Sequence, residues 1–215
     1  MKKVFIKKIF TASIISLLLI QIFYLVIEPA ISTAASVSDG VQVTLTVDSG
    51  ITITTPGDVT MSPNIGITAN GSIGSAVWNV KTNKATGYSL AVKASASPAL
   101  VSGANSFADY TELVDDTPEV WSVPAAAKEF GFSAYGTDTT TATWGTAATC
   151  GALGVPDVLQ KYVGFKVTDQ TIATRDTVTS TSGVDTTVCF AAEQDTVYAP
   201  SGTYTATITA TATEL

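Results

Sequence analysis

Trp78-Asn79-Val80-Lys81-Thr82-Asn83-Lys84-Ala85-Thr86-Gly87-Tyr88-Ser89-Leu90-Ala91-Val92-Lys93 decides the fold class. Trp78 and Val80 alternate with Asn79 and Lys81. After the break, Tyr88, Leu90 and Val92 alternate with Ser89, Ala91 and Lys93. A period of two puts one set of side chains on a buried face and the other in water, as in a half-buried strand. Thr82 to Gly87, with Asn83 and Gly87, reads as a hairpin loop between the two strands.

The same period recurs outward from this pair. Val41, Val43, Leu45 and Val47 alternate with Gln42, Thr44 and Thr46, and Ile51 and Ile53 continue after a turn at Asp48-Ser49-Gly50. Near the other end, Tyr204, Ala206, Ile208, Ala210 and Ala212 alternate with threonines. Weaker strand patterns cover Val120–Val123, Glu129–Tyr135, Tyr162–Thr168 and Thr186–Ala192. The chain contains 35 threonines, and Thr and Val favour a pleated, half-buried surface. Residues 36–215 therefore predict a single all-β domain, an antiparallel β-sandwich of Ig-like or jelly-roll-like layout, with a barrel as the other closure. Gly136 to Gly151, rich in Thr, Ala and Gly, reads as a long and poorly ordered loop.

Residues 1–35 have a different grammar. Lys2, Lys3, Lys7 and Lys8 precede the uncharged run Ile9–Ile27, and Pro29 then leads into Ala30, Ser32, Thr33, Ala34 and Ala35. A basic start, an apolar stretch and a cluster of small residues predict an N-terminal hydrophobic signal helix, cut after Ala34 or Ala35. The alternative is an uncleaved anchor, since the apolar run is just long enough to span a bilayer. Both readings leave the lysines inside and export the body. Membrane attachment, if any, is through residues 9–27.

Composition excludes several classes. Of 215 residues 13% are charged and 46% hydrophobic, with a formal net charge of −7. An acidic disordered tail needs more charge and fewer apolar residues. Beyond residue 35 there are 7 basic and 17 acidic residues, a balance that repels phosphate and argues against nucleic acid as a partner. Histidine is absent, which removes the commonest general base and with it the usual nucleophilic triad. No catalytic residue and no cofactor motif is predicted.

The candidate sites are few. Cys150 and Cys189 are the only cysteines, and an oxidising compartment makes a disulfide the default, with two independent buried thiols as the other reading. Closing a loop of this length stabilises by up to about 4 kcal/mol. Asp109, Glu112, Asp115, Asp116 and Glu119 form the densest acidic stretch. Hard cations such as Ca²⁺ take six to eight oxygens, so the stretch is a weak Ca²⁺ candidate, though its spacing is not that of an EF-hand. A solvated acidic loop is the plainer reading. A carboxylate pair for glycoside hydrolysis would need two groups held across a cleft, which spacing alone does not supply. Trp78, Trp121 and Trp144, with Phe107, Tyr110 and Tyr135, are the aromatics from which a sugar platform would be built. The alternation around Trp78 and Trp121 assigns those two to the core. Trp144, in the Thr/Ala/Gly stretch, is predicted to be exposed and is the candidate glycan contact. Asn70-Gly71-Ser72 matches the glycosylation acceptor triplet.

Several segments resemble a group of uncharacterised, secreted, Thr-rich surface proteins of uncultured small-genome bacteria. These are Lys7–Ser13 and Gln21–Leu25, Trp78–Asn83, Thr86–Leu90, Ser97–Leu100, Asn105–Thr111, Glu129–Phe132 and Gly202–Thr209. A looser similarity is to WxL-type cell-wall domains and spore-coat or fimbrial β-sandwich subunits, through the closing strand Gly202 to Thr213. The chain departs from the WxL pattern, having Trp78-Asn79-Val80 and Trp121-Ser122-Val123 where Trp-x-Leu would stand. The resemblance implies a secreted β-sandwich and carries no activity with it.

Together these readings predict an exported structural or adhesive protein of the cell surface, not an enzyme, whose partners are surface or wall components or a second copy. The alternative is a carbohydrate- or cell-wall-binding module. Val41–Val47 has a specific place in the first reading, because such a strand can be given to a neighbouring subunit or can pair within its own domain.

Overall fold

The computed structural model describes residues 2–26 and 37–215, with side chains described from residue 11 to 23 and from 37 onward. The predicted cleavage region, from Glu28 through Ala35 together with Ser36, lies outside the described residues. Two compact units are present, Met1–Thr46 and Val47–Leu215.

In the first unit, α1 (Lys2–Val26) is a single helix. Its apolar residues lie all round the axis, and Ile14, Leu17, Leu19 and Phe23 are each more than half exposed. Among the described residues no helix is long and apolar enough to cross a membrane; the apolar run Ile9–Ile27 ends outside them. Val41–Val47, predicted as a strand, belongs to no helix or strand. Val41, Val43, Leu45 and Val47 are 73% to 88% exposed. The alternation is in the sequence, but no ladder forms along it.

The second unit is all β apart from one helical turn. Its elements are β1 (Ile51–Thr54), β2 (Gly71–Thr82), β3 (Tyr88–Ala94), β4 (Leu100–Ser102), β5 (Asn105–Asp109), β6 (Lys128–Gly136), α2 (Thr141–Trp144), β7 (Gly151–Ala152), β8 (Val155–Pro156), β9 (Val163–Gly164), β10 (Gln170–Arg175), β11 (Val184–Gln194) and β12 (Ile208–Glu214). One sheet runs β1-β2-β11-β6-β5-β4, with β9 also on β6; a second runs β10-β3-β12; β7 and β8 form a small pair. Pairing is antiparallel except between β5 and β6.

Both larger sheets feed one apolar cluster. Trp78, Val80, Phe132 and Val188 come from the first, and Leu90, Val92 and Ile172 from the second. The alternation predicted for Trp78/Val80 and for Tyr88/Leu90/Val92 is the core-facing set. Yet the connection between them is not a hairpin. β2 and β3 lie in different sheets, so Thr82–Gly87 arches from one sheet to the other. Gly87 sits at φ +79°, and a Cβ there would stand 2.0 Å from the Arg175 carbonyl oxygen. The arch is closed by packing against β10's exit, not by a ladder of its own.

β6 and β11 are buried along nearly their whole length. Phe130, Phe132 and Ala134 face the shared core, as do Val188, Phe190 and Ala192. Their other face lies under a second cluster containing Tyr110, Tyr162, Cys189 and Ala191. Two predicted strands shrink in the structure. Val120–Val123 forms no strand, and only Val163–Gly164 of Tyr162–Thr168 does. Gly136 to Gly151 is not the featureless loop predicted. It carries a turn, α2 and a buried Trp144.

Candidate functional site

The outer face of β6 and β11 collects several of the residues singled out in the sequence, among them Tyr110, Trp121, Tyr135, Cys150 and Cys189. Gly131 makes the covering possible. A Cβ there would lie 2.8 Å from Tyr110 Cβ and 3.1 Å from Trp121 Cζ3, so any larger residue would push the aromatic layer off the sheet. Tyr110 stacks on Trp121 with ring centroids 4.5 Å apart, and Trp121 meets Tyr162 edge-on at 5.3 Å. Trp121 Nε1 donates to Glu193 Oε2 at 2.6 Å, from β11 below. The Tyr110 hydroxyl donates to Glu119 Oε1 at 3.1 Å. The Tyr162 hydroxyl donates to the Cys150 carbonyl at 3.3 Å.

Cys150 and Cys189 form the predicted disulfide, with Cα atoms 5.2 Å apart. It ties the segment after α2 to β11, a strand paired on both sides. Gln160, fully buried, holds the same segment from inside: its Oε1 accepts from Ser133 Oγ and its Nε2 donates to the Ala147 carbonyl. The pair is the bond expected of an oxidising, extracytoplasmic compartment.

The five acidic candidates do not converge. Asp109 Oδ2 accepts from Ser97 Oγ at 2.6 Å, and its Oδ1 from the Ala99 N–H at 2.9 Å. Asp115 and Asp116 pair with Lys166 Nζ at 3.2 and 2.5 Å, and the two carboxylates hold that ammonium's pKa above its ordinary value, Asp116 most. Glu112 accepts from the Gly164 N–H. Glu119 accepts from Tyr110 and from the Leu113 N–H, while its backbone bridges to Tyr162. Among the described residues no group of three acids or cysteines is placed to hold a metal ion. These carboxylates fold the loop. They do not form the oxygen cage that the Ca²⁺ reading required.

The aromatic platform is likewise not open. Trp78, Trp144, Phe107 and Tyr110 are buried, and Trp121 and Tyr135 are half-buried. Trp144, the predicted exposed contact, is 5% exposed and packs 5.5 Å from Phe132. The prediction of an exposed Trp144 is corrected: α2 turns the ring inward. Ser72 of the Asn70-Gly71-Ser72 triplet is buried in β2.

Two features escaped the sequence reading. Glu129, 5% exposed, lies beneath the aromatic layer, and its Oε2 has no hydrogen-bond partner. Burial raises its pKa to about 7; Glu112 and Glu119 add to the rise and the Thr111 N–H opposes it. Asp138 accepts from the Tyr88 hydroxyl at 2.7 Å and from Arg175 at 3.1 Å, binding the turn after β6 to the second sheet. Burial and Asp138 together raise the Tyr88 pKa. Neither residue stands in a motif, and nothing in the local sequence signals its burial.

No family model, curated protein or solved structure matches this chain.

Proposed function

We propose that the chain is an exported β-sandwich protein of the cell surface, structural or adhesive in role and without catalytic activity, that associates with further copies by strand addition. The observation that carries this reading is the Cys150–Cys189 bond, which suits an oxidising compartment. The leader-like pattern of residues 1–35 and the shared core of the two sheets support it. So does the use of the acidic residues: each candidate carboxylate is engaged in a structural bond or ion pair. The reading agrees with the resemblance to secreted Thr-rich surface proteins. A glycan- or wall-binding role would need a contact other than Trp144.

Labelling intact cells with a membrane-impermeant amine reagent tests the proposal, with thiol titration of the same protein. The expected result is labelled protein with no free thiol and an N-terminus after Ala34 or Ala35, or an intact leader if it anchors. Protein found unlabelled, with two free thiols, would remove the surface role.

A further inference from the structure

We infer that the free edge of β12 is the acceptor for Val41–Val47 of a second copy, an inference that rests on the self-association proposed above. The open edge is defined by the hydrogen bonding of β12. Ser95 N–H donates to the Thr207 carbonyl and Leu215 N–H to the Gly87 carbonyl, and the register is Ile208↔Ala94 through Glu214↔Tyr88. In an antiparallel ladder, bonded and non-bonded positions alternate. The odd positions of β12 therefore bond to β3, and Ile208, Ala210, Ala212 and Glu214 turn their N–H and C=O groups to the outer edge. Among the described residues no strand pairs with that edge.

The opposite edge of the same sheet is partly covered. At β10, Thr174 N–H donates to the Asp138 carbonyl, and Ile172 and Ala173 are buried. At β12 the core-facing residues Ile208, Ala210 and Ala212 remain half-buried, as do Ile51 and Ile53 of nearby β1. Two of the β12 residues are alanines, and all three are only partly covered by the core they pack against. A free strand edge flanked by partly covered apolar residues is a template for another strand.

Val41–Val47 matches this edge in length, chemistry and parity. It spans seven residues, as β12 does. It bears no charge, and its Val, Val, Leu and Val side chains alternate with Gln42, Thr44 and Thr46. Added beside β12, it would turn the apolar set toward Ala210 and Ala212. Its threonines would then line up with the exposed Thr209, Thr211 and Thr213, a pairing that suits a sheet surface. A second copy is the donor because Val41–Val47 pairs with no strand of its own chain and leaves Val41, Val43, Leu45 and Val47 exposed. Gly50 N–H donates to Asn83 Oδ1, Asn83 Nδ2 donates to the Asp48 carbonyl, and Asn83 N–H donates to the Gly50 carbonyl. These bonds extend the β1–β2 register of Ile51↔Thr82 and fix the start of β1 on β2.

Cysteine trapping between full-length exported proteins provides the test. Protein carrying Thr44→Cys is mixed with protein carrying Thr209→Cys, Thr211→Cys or Thr213→Cys, which together cover the register, and is oxidised. Peptide mapping checks that Cys150–Cys189 is intact. The expected result is a disulfide-linked heterodimer with at least one of the three, lost when Leu45→Lys is added to the Thr44→Cys protein while its near-UV spectrum stays unchanged. No heterodimer in any mixture, from protein that is labelled at the cell surface, overturns the β12 acceptor and leaves the surface role standing. In a further sample, a chain that carries Thr44→Cys together with one of the three β12 cysteines and links only within itself overturns exchange between copies. Heterodimers from protein that is never labelled at the surface support the acceptor and instead overturn the surface role.

Discussion

Val41–Val47 and β3 are written in the same code and have opposite fates. Both alternate apolar and polar residues over seven positions. In β3 the apolar set Tyr88, Leu90 and Val92 is fully buried, with β10 on one side and β12 on the other. In Val41–Val47 the corresponding set is exposed and no strand lies alongside. Alternation thus states which face will be buried once a partner exists. It does not supply the partner, and a strand without neighbours gains too little from its own backbone to persist.

Four measurements test this contrast, in descending order of size. The segment around Cys150 has neither a long ladder nor clear alternation, and is held by its disulfide. Replacing Cys150 and Cys189 together with Ser should lower stability by about 4 kcal/mol, from the loop they close, measured by urea unfolding. A change under about 1 kcal/mol would mean that Gln160 and Tyr162 hold the segment unaided. Next, Leu90→Ala in β3 should cost roughly 3 kcal/mol, as for a buried leucine. An unchanged midpoint would show that β3's burial contributes little.

The third measurement concerns pH. Glu129 has its pKa raised to about 7 by burial, against about 4.5 in the unfolded chain. Folding is therefore favoured when this carboxyl is protonated. That contribution is complete below about pH 4.5 and is lost as pH rises through about 7, amounting to roughly 3 kcal/mol by linkage. Glu129→Gln should flatten this part of the stability–pH curve, with its main gain above pH 7. A variant whose curve overlays the parent's would place the titration elsewhere. Smallest of all, Leu45→Ala should shift monomer stability by less than about 0.5 kcal/mol, as at an exposed site. A loss near that of Leu90→Ala would mean that Val41–Val47 is already paired in the monomer.

Much of the fold was legible where one face of a strand meets water. β1, β2, β3 and β12 each show period-two alternation, and the apolar residues it marks are those that pack toward the core, fully buried in β3 and half-buried in β1 and β12, although Tyr204–Thr207, predicted in the last strand, precede β12. β6 and β11 gave weaker signals for a physical reason: with core on one side and the Tyr110–Trp121–Tyr162 layer on the other, their sequences Phe130-Gly-Phe-Ser-Ala and Val188-Cys-Phe-Ala-Ala lack a polar set. β10 was missed because Thr174 and Arg175 look solvent-facing, although Arg175 is committed to Asp138. The arch at Thr82–Gly87 was read as a hairpin because turn residues mark a reversal of the chain and do not say which sheet receives the next strand. Trp144 was misplaced by its neighbours: small residues suggested an open loop, but Gly145 and the Thr140–Trp144 turn bring the indole onto Phe132. The disulfide was legible from the cysteine count alone, whereas Glu129 was not, since its burial depends on a loop folding over it from elsewhere in the chain.

The covalent ring between Cys150 and Cys189 also sets how far the protein can be stretched. If tension enters through the segment before β1 and leaves through β12, the chain between the two sulfurs, 39 positions apart, is shunted out of the force path. At about 3.4 Å per extended residue, some 130 Å of contour is withheld from extension. After reduction, forced unfolding would release that length as well, so the same molecule, pulled open, would reach less far in an oxidising medium than in a reducing one.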